Sequence, residues 1–237
     1  MNTRIYTADT ELFRDAELYS RIYACLPESR REKVSRYRRE EDQLRSLAAG
    51  ALLLRLCRDE GLPESMPDLR ENEYGKPFFS EHPDVQFSLS HSGTKVLLAV
   101  SDRPVGCDVE KISEKPDPLS IARHFFAPGE TWLLTEAEPD ALVPLFYRLW
   151  TLKESFVKET GRGLYLPLQS FRIILSEDAP IGVRLLEDQD PAVSDDVFFL
   201  QDSPGDGYAY AFCIAGDGAD LPEMTIQKLS VPYLSDL

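Results

Sequence analysis

Asp108 and Glu110 stand two residues apart in the run Val105-Gly106-Cys107-Asp108-Val109-Glu110. On an extended strand of period two, both carboxylates fall on one face, with Cys107 and Val109 on the other. Further along, Trp150-Thr151-Leu152-Lys153-Glu154-Ser155-Phe156-Val157-Lys158 reads as a helix in which the i,i+4 relation makes Glu154 and Lys158 neighbours. Three acids and a lysine suggest a metal–phosphate site. Magnesium takes oxygen ligands and keeps some of its waters, so one or two carboxylates plus the oxygens of a substrate pyrophosphate would complete its shell. Taken alone, the Asp108–Glu110 pair reads equally well as the solvated face of a half-exposed strand.

The chain that must position these groups has 237 residues, 43% hydrophobic and 28% charged, the composition of an ordinary globular protein with room for one large domain or two small halves. Its longest apolar run, Leu47 to Leu54, is core-sized and far short of the ~20 residues of a membrane helix. The start, Met1-Asn2-Thr3-Arg4-Ile5-Tyr6, passes straight into strand-like alternation without the pattern of a secretory signal, so a cytoplasmic location and no membrane partner are expected. Cys25, Cys57, Cys107 and Cys213 are widely spaced and read as buried thiols, with neither zinc nor disulfides implied. A formal net charge of -15 argues against a nucleic-acid partner, which requires a basic surface. Against that background Arg30, Arg31, Lys33, Arg36, Arg38 and Arg39 form a local basic patch, either an anchor for a small polyanion or a solvated helix face.

Periodicity predicts a strand at residues 4–9 and helices over Glu11–Leu26 and Ser29–Glu60, the second stopped by Gly61 and Pro63. Asn72-Glu73-Tyr74-Gly75-Lys76-Pro77 is a turn. Val85–Ser90 and Lys95–Ser101 form a hairpin across the turn His91-Ser92-Gly93-Thr94. Pro104, Pro116 and Pro118 bracket the acidic strand and place a junction between halves near residue 105. A long helix at about 141–160 is followed by strands near 171–175, 183–187, 197–201 and 208–215. Helix followed by antiparallel strands, twice, predicts an α+β protein of two similar halves with pseudo-twofold symmetry. In the second long helix Leu142, Leu145, Phe146, Leu149, Leu152 and Phe156 make an apolar face. Lys153 falls inside that arc, either snorkelling to its rim or pointing into a site between the halves, and Trp150 is read as core.

Together these segments resemble the surfactin-type 4′-phosphopantetheinyl transferases, whose signatures are a Gly-x-Asp-x-Glu strand, here Gly106 to Glu110, and a Trp-x-x-Lys-Glu-(Ala/Ser)-x-x-Lys helix, here Trp150 to Lys158. The resemblance extends to Tyr74-Gly75-Lys76-Pro77, to Phe87-Ser88-Leu89-Ser90-His91-Ser92-Gly93, to Phe125-Phe126 with Glu130, and to Gly161-Arg162-Gly163-Leu164, and covers about residues 28–175 in order. Each motif alone is common; their combination is specific.

The resemblance implies a magnesium-dependent transferase that moves the 4′-phosphopantetheine group of coenzyme A onto a serine of an apo carrier protein, peptidyl or acyl, and releases adenosine 3′,5′-bisphosphate. It implies a monomer with two halves in one chain. Residues 1–105 would bind coenzyme A and residues 106–237 would carry the metal site and carrier docking, with the active site between them. By the same resemblance Asp108, Glu110 and Glu154 would hold magnesium, Lys158 would meet the phosphates, and Glu154 is the candidate base for the carrier serine. Arg30, Lys33, Arg45, Ser46, Lys76, Ser90 and His91 would contact the coenzyme. Arg30 departs from the lysine familiar there, which keeps the charge and changes the geometry, and His91 read without the resemblance is a loop histidine capping its turn.

Two other classes compete: a magnesium-dependent nuclease or phosphodiesterase, disfavoured by the acidic surface, and a non-enzymatic acidic adaptor, which would bind neither magnesium nor coenzyme A. The segment Leu119–Phe126 is apolar enough to dock a carrier helix, or else packs on the core. Residues after about 216 carry no readable motif.

Overall fold

The computed structural model describes residues 3–63, 65–115, 117–176, 180–186, 193–202, 204–216 and 224–228. In chain order the elements are β1 (Thr3–Asp9), a 3₁₀ turn (Thr10–Arg14), α1 (Ala16–Cys25), α2 (Glu28–Arg36), α3 (Glu40–Asp59), β2 (Leu69–Glu71), β3 (Pro77–Phe79), β4 (Gln86–Ser92), β5 (Lys95–Ser101), β6 (Val105–Lys111), α4 (Pro118–Phe125), α5 (Pro128–Thr135), α6 (Pro139–Thr160), two further 3₁₀ turns, β7 (Phe171–Ile174), β8 (Gly182–Leu185), β9 (Val197–Asp202), β10 (Tyr208–Ala215) and β11 (Met224–Lys228). The protein is α+β, and its backbone divides into two compact units. One comprises Met1–Arg70, Pro77–Asp102 and Pro222–Leu237, the other Glu71–Lys76 and Arg103–Leu221.

The first unit lays α3 on a four-stranded sheet of order β11-β1-β5-β4. The β1–β5 and β4–β5 pairs are antiparallel, and β11 adds parallel to β1. The Leu47–Leu54 run makes α3 buried almost all round, and with Tyr6, Phe13, Ile22, Phe79, Phe87 and Leu98 it forms the core. Gly61, at φ +66, supplies the left-handed residue that ends the helix.

Two helical expectations are corrected here. Ser29–Glu60 is two helices, because Tyr37 and Arg39 are extended (ψ 137 at both). One helix of that length would run about 48 Å; instead the chain folds back and buries Val34 and Arg30 of α2, with the Arg30 guanidinium donating to the Ser46 carbonyl of α3. Glu11–Leu26 likewise splits at Asp15, whose carboxylate caps α1 by accepting from Leu18 N. His91 also lies in strand β4, opposite Val96, and the turn is the two residues Gly93-Thr94 with Gly93 at φ +54.

The second unit packs α6 on the antiparallel sheet β6-β10-β9. Its core joins Phe146, Leu149, Leu152 and Phe156 of α6 to Phe171, Phe199, Ala209, Ala211 and Cys213. Trp150 sits against Phe126 and Phe146, as a core aromatic. Cys57, Cys107 and Cys213 are buried, whereas Cys25, at the end of α1, is exposed and corrects the uniform reading of the thiols. Among the described residues no helix is long and apolar enough to cross a membrane.

Candidate active site

The geometry of the acid cluster begins with a glycine. In β6, Gly106, Asp108 and Glu110 share one face and lie opposite Cys213, Ala211 and Ala209 of β10, so the cross-strand neighbours of both acids are methyl groups. A Cβ on Gly106 would collide with the Ser155 carbonyl oxygen and the Glu159 backbone nitrogen. Only glycine lets α6 descend this far onto the strand. The turn brought down is Ser155–Glu159, and the stripe Tyr147, Thr151, Glu154, Lys158 along α6 follows the i, i+4, i+7, i+11 pattern of one helix face.

Lys158 Nζ then donates to Asp108 Oδ1 at 2.7 Å, with side-chain exposures of 30% and 4%. Burial is the largest influence on Lys158 and would lower its pKa, but the charges of Asp108, Cys107 and Glu154 together outweigh it and hold the ammonium above the ordinary lysine value. Glu154 moves the other way. Burial first, then the charge of Asp108 and, more weakly, Glu110 push its carboxyl up, against the pull of Lys158. Tyr147 is raised by burial and by the Glu110 charge. The three sequence-predicted acids are thus close enough to feel one another, and they do so unfavourably. Such a set fits a divalent cation: carboxylate oxygens that repel each other are the hard donors magnesium takes, and a cation there relieves the repulsion. Among the described residues no group of three or more histidine, cysteine, aspartate or glutamate side chains is gathered closely enough to hold a metal ion by itself.

The expected coenzyme residues fall into two sets. In the first unit, Arg45 Nη1 donates to the Gly93 carbonyl at 2.9 Å and its Nη2 to Asp42 at 2.5 Å, which brings α3 to the turn that follows Ser90 and His91 of β4. Ser90 is buried and His91 exposed. Arg30 is 7% exposed and Ser46 7%, and Arg30 Nε and Ser46 Oγ are both buried without a protein partner. Burial lowers the Arg30 pKa. Lys33, one turn on, is exposed. Lys76 belongs to the second unit. Its Nζ donates to the carbonyls of Val105 (3.0 Å) and Glu159 (3.2 Å), which leaves one donor, and burial lowers its pKa. Asn72 completes that turn: Oδ1 accepts from Tyr74 N and Lys76 N, while Nδ2 donates to Gly161 O at the end of α6. Glu159 beside Lys76 is pushed up to about 7 by burial.

Lys153 corrects both sequence readings. It neither snorkels nor reaches a site; its side chain is 0% exposed, and Nζ donates to both oxygens of Glu130 (2.8 and 2.7 Å) and to Phe171 O (2.8 Å). Sequence reasoning gave no role to Tyr147 or Asn72. Tyr147 was findable as the residue two helical turns before Glu154 on the same stripe; Asn72 needed the fold.

With this geometry in place, comparison with known proteins is direct. Residues 104–213 match the model of the 4′-phosphopantetheinyl transferase superfamily, and residues 15–103 match the model described as 4′-phosphopantetheinyl transferase, N-terminal. The chain is 36% identical over 197 residues to a 4′-phosphopantetheinyl transferase of Bacillus subtilis, covering 82% of this chain and 84% of the relative. It is 36% identical over 205 residues to the 4′-phosphopantetheinyl transferase Sfp of Bacillus subtilis strain 168, covering 86% and 87%. It is 31% identical over 226 residues to the 4′-phosphopantetheinyl transferase gsp of Aneurinibacillus migulanus, covering 94% and 90%. A strand and helix that share one acid cluster, in a chain matched along most of its length, lead to one assignment: this chain belongs to the 4′-phosphopantetheinyl transferases, the enzymes that transfer phosphopantetheine from coenzyme A to carrier proteins.

Proposed function

We propose that the transfer is magnesium-dependent and runs at Asp108, Glu110, Glu154 and Lys158. The carrying observation is that Asp108 and Glu110 share with Gly106 the β6 face on which α6 is seated, and that Lys158 Nζ of α6 stands 2.7 Å from Asp108. Asp108, Glu110 and Glu154 would hold the ion, which when bound neutralises charge on the pyrophosphate. Lys158 lies on the same face with an ammonium kept charged, and it stabilises the departing adenosine 3′,5′-bisphosphate. Glu154, through its own carboxylate or a water held at the site, takes the proton from the carrier serine. The serine oxygen forms its bond to the β-phosphorus as the bond to the bisphosphate breaks. Arg30, Lys33, Arg45, Ser46, Ser90 and His91, with the remaining donor of Lys76, contact the coenzyme, Arg30 and Lys33 at its 3′-phosphate.

Incubation with coenzyme A, magnesium and an apo carrier should raise the carrier mass by one phosphopantetheine, and chelation should stop it; transfer that is indifferent to a chelator rejects the metal. Glu154→Gln should lose rate more than coenzyme affinity if Glu154 is the base, and equal retention of both rejects the role. For the 3′-phosphate, Lys33→Ala should weaken coenzyme A by about 1.5–3 kcal/mol, the range of a lost charge-assisted hydrogen bond, and leave 3′-dephospho-coenzyme A unaffected. Equal losses for the two would remove Lys33 from that contact.

Carrier docking is assigned to α4. There Phe125 is 52% exposed beside exposed Arg123 and His124, whereas Leu119 and Ile121 pack partly on the core. Phe125→Asp is therefore the cleaner probe: it should raise the carrier KM and leave the coenzyme KM in place.

A further inference from the structure

Glu130 and Lys153 take no part in the reaction above, yet their side chains are 1% and 0% exposed, and every polar atom is used. Glu130 Oε1 accepts from Lys153 Nζ at 2.8 Å and from Ile173 N at 2.8 Å. Its Oε2 accepts from Lys153 Nζ at 2.7 Å and from Ala127 N at 3.0 Å, the glutamate half of a capping box at the start of α5. A carboxylate offers about four lone-pair sites, so Glu130 is saturated and has no capacity to take a substrate proton. Lys153 adds its bond to Phe171 O, and its ammonium lies 4.2 Å from the Phe171 ring centre. Three elements, α5, α6 and β7, are thereby fixed to one point.

That point lies one residue before Glu154. On the strand side the same turns of α6 are seated on Gly106, so the turn that presents Glu154 and Lys158 is held from both directions. A buried ion pair contributes little net stability over a well-packed apolar pair of similar volume. What apolar side chains cannot supply is directional bonding to fixed backbone points, and misplacement of catalytic groups by about 1 Å costs on the order of a hundredfold in rate.

We propose that Lys153 and Glu130 are positioning residues for this reaction, fixing the height and rotation of α6 at which Glu154 joins Asp108 and Glu110. The inference rests on the reading of Glu154 as a metal ligand. Its test uses the full chain with Glu130→Leu and Lys153→Met combined, so that no charge is left buried alone, and with Glu154→Ala alongside. Melting temperature, coenzyme A affinity without metal, Mn²⁺ affinity in the presence of coenzyme A by water proton relaxation, and transfer kinetics are read together. The expected result for the pair variant is a melting temperature within a few degrees of the parent and coenzyme affinity within twofold. Mn²⁺ affinity should fall about tenfold and kcat about a hundredfold with the coenzyme KM unchanged. A folded pair variant with parental Mn²⁺ affinity and kcat, while Glu154→Ala loses the ion, overturns the positioning role alone. Parental Mn²⁺ binding by Glu154→Ala overturns the metal-ligand reading and the inference with it. A pair variant that fails to fold overturns the claim that the pair serves geometry more than stability.

Discussion

Two lysines of α6, five positions apart, each donate to a carboxylate at 2.7 Å, and their surroundings send them in opposite directions. Lys153 is sealed among Phe126, Phe171 and Glu130; burial outweighs its partner and pulls its pKa down to about 8. Around Lys158 burial pulls down as well, but the negative groups Asp108, Cys107 and Glu154 together outweigh it and push the value up. Contact distance therefore does not distinguish a structural ion pair from one proposed to act in the reaction. What does is the company each carboxylate keeps: Glu130 has a donor on every lone pair, while Asp108 lies near two further acids, Glu110 on its own strand and Glu154 on α6, whose charges it feels.

The comparison breaks if the two lysines respond alike to removal. Lys153→Ala should destabilise the fold by about 3–5 kcal/mol, because it strands the Glu130 carboxylate in the core; denaturant unfolding reads this directly. Gly106→Ala should come next, at about 1–3 kcal/mol of overpacking, since the obstructing atoms are α6 backbone and cannot rotate away. Its transfer rate should fall even in the folded fraction, and a folded, fully active variant would separate the α6 seat from the site. Lys158→Met should cost less stability than Lys153→Ala, because Lys158 is 30% exposed and water can reach the pair from its side, and should lower kcat by about 10²–10³, the cost of a lost charge stabiliser.

Glu159 sharpens the contrast through pH. Its carboxyl is raised in the folded protein from 4.5 to about 7, so between those values the native state binds the proton that the unfolded state releases. Its contribution is fully present below about 4.5 and is lost as pH rises through about 7. Glu159→Gln should flatten that part of the stability profile, by an amount on the order of 3 kcal/mol at pH 8. A wild-type and variant pair whose thermal midpoints shift in parallel from pH 5 to pH 8 would contradict it.

Much of this was legible in the sequence where period and motif coincide. The β4–β5 hairpin, the long α6 and strands β7 to β10 follow from alternation and helical spacing, and Asp108, Glu110, Glu154 and Lys158 from two short motifs. The break at Tyr37–Arg39 was not legible, because no glycine or proline marks it and its cause is the packing of α2 on α3. Lys153 was misread because amphipathic patterning records where a lysine lies on a helix and says nothing of a glutamate 23 positions earlier that meets it. The strand β11 escaped because the strand it pairs with, β1, lies at the opposite end of the sequence.

That last pairing sets an order of assembly. The first unit takes its edge strand from residues 224–228, which leave the ribosome after every residue of the β6-β10-β9 sheet and α6. During synthesis β1 must wait with one edge unpaired, an exposed template for wrong pairing, until residues 224–228 have been made. The unit begun first is therefore the one finished last, its sheet closed by a strand that the whole sequence of the other unit precedes.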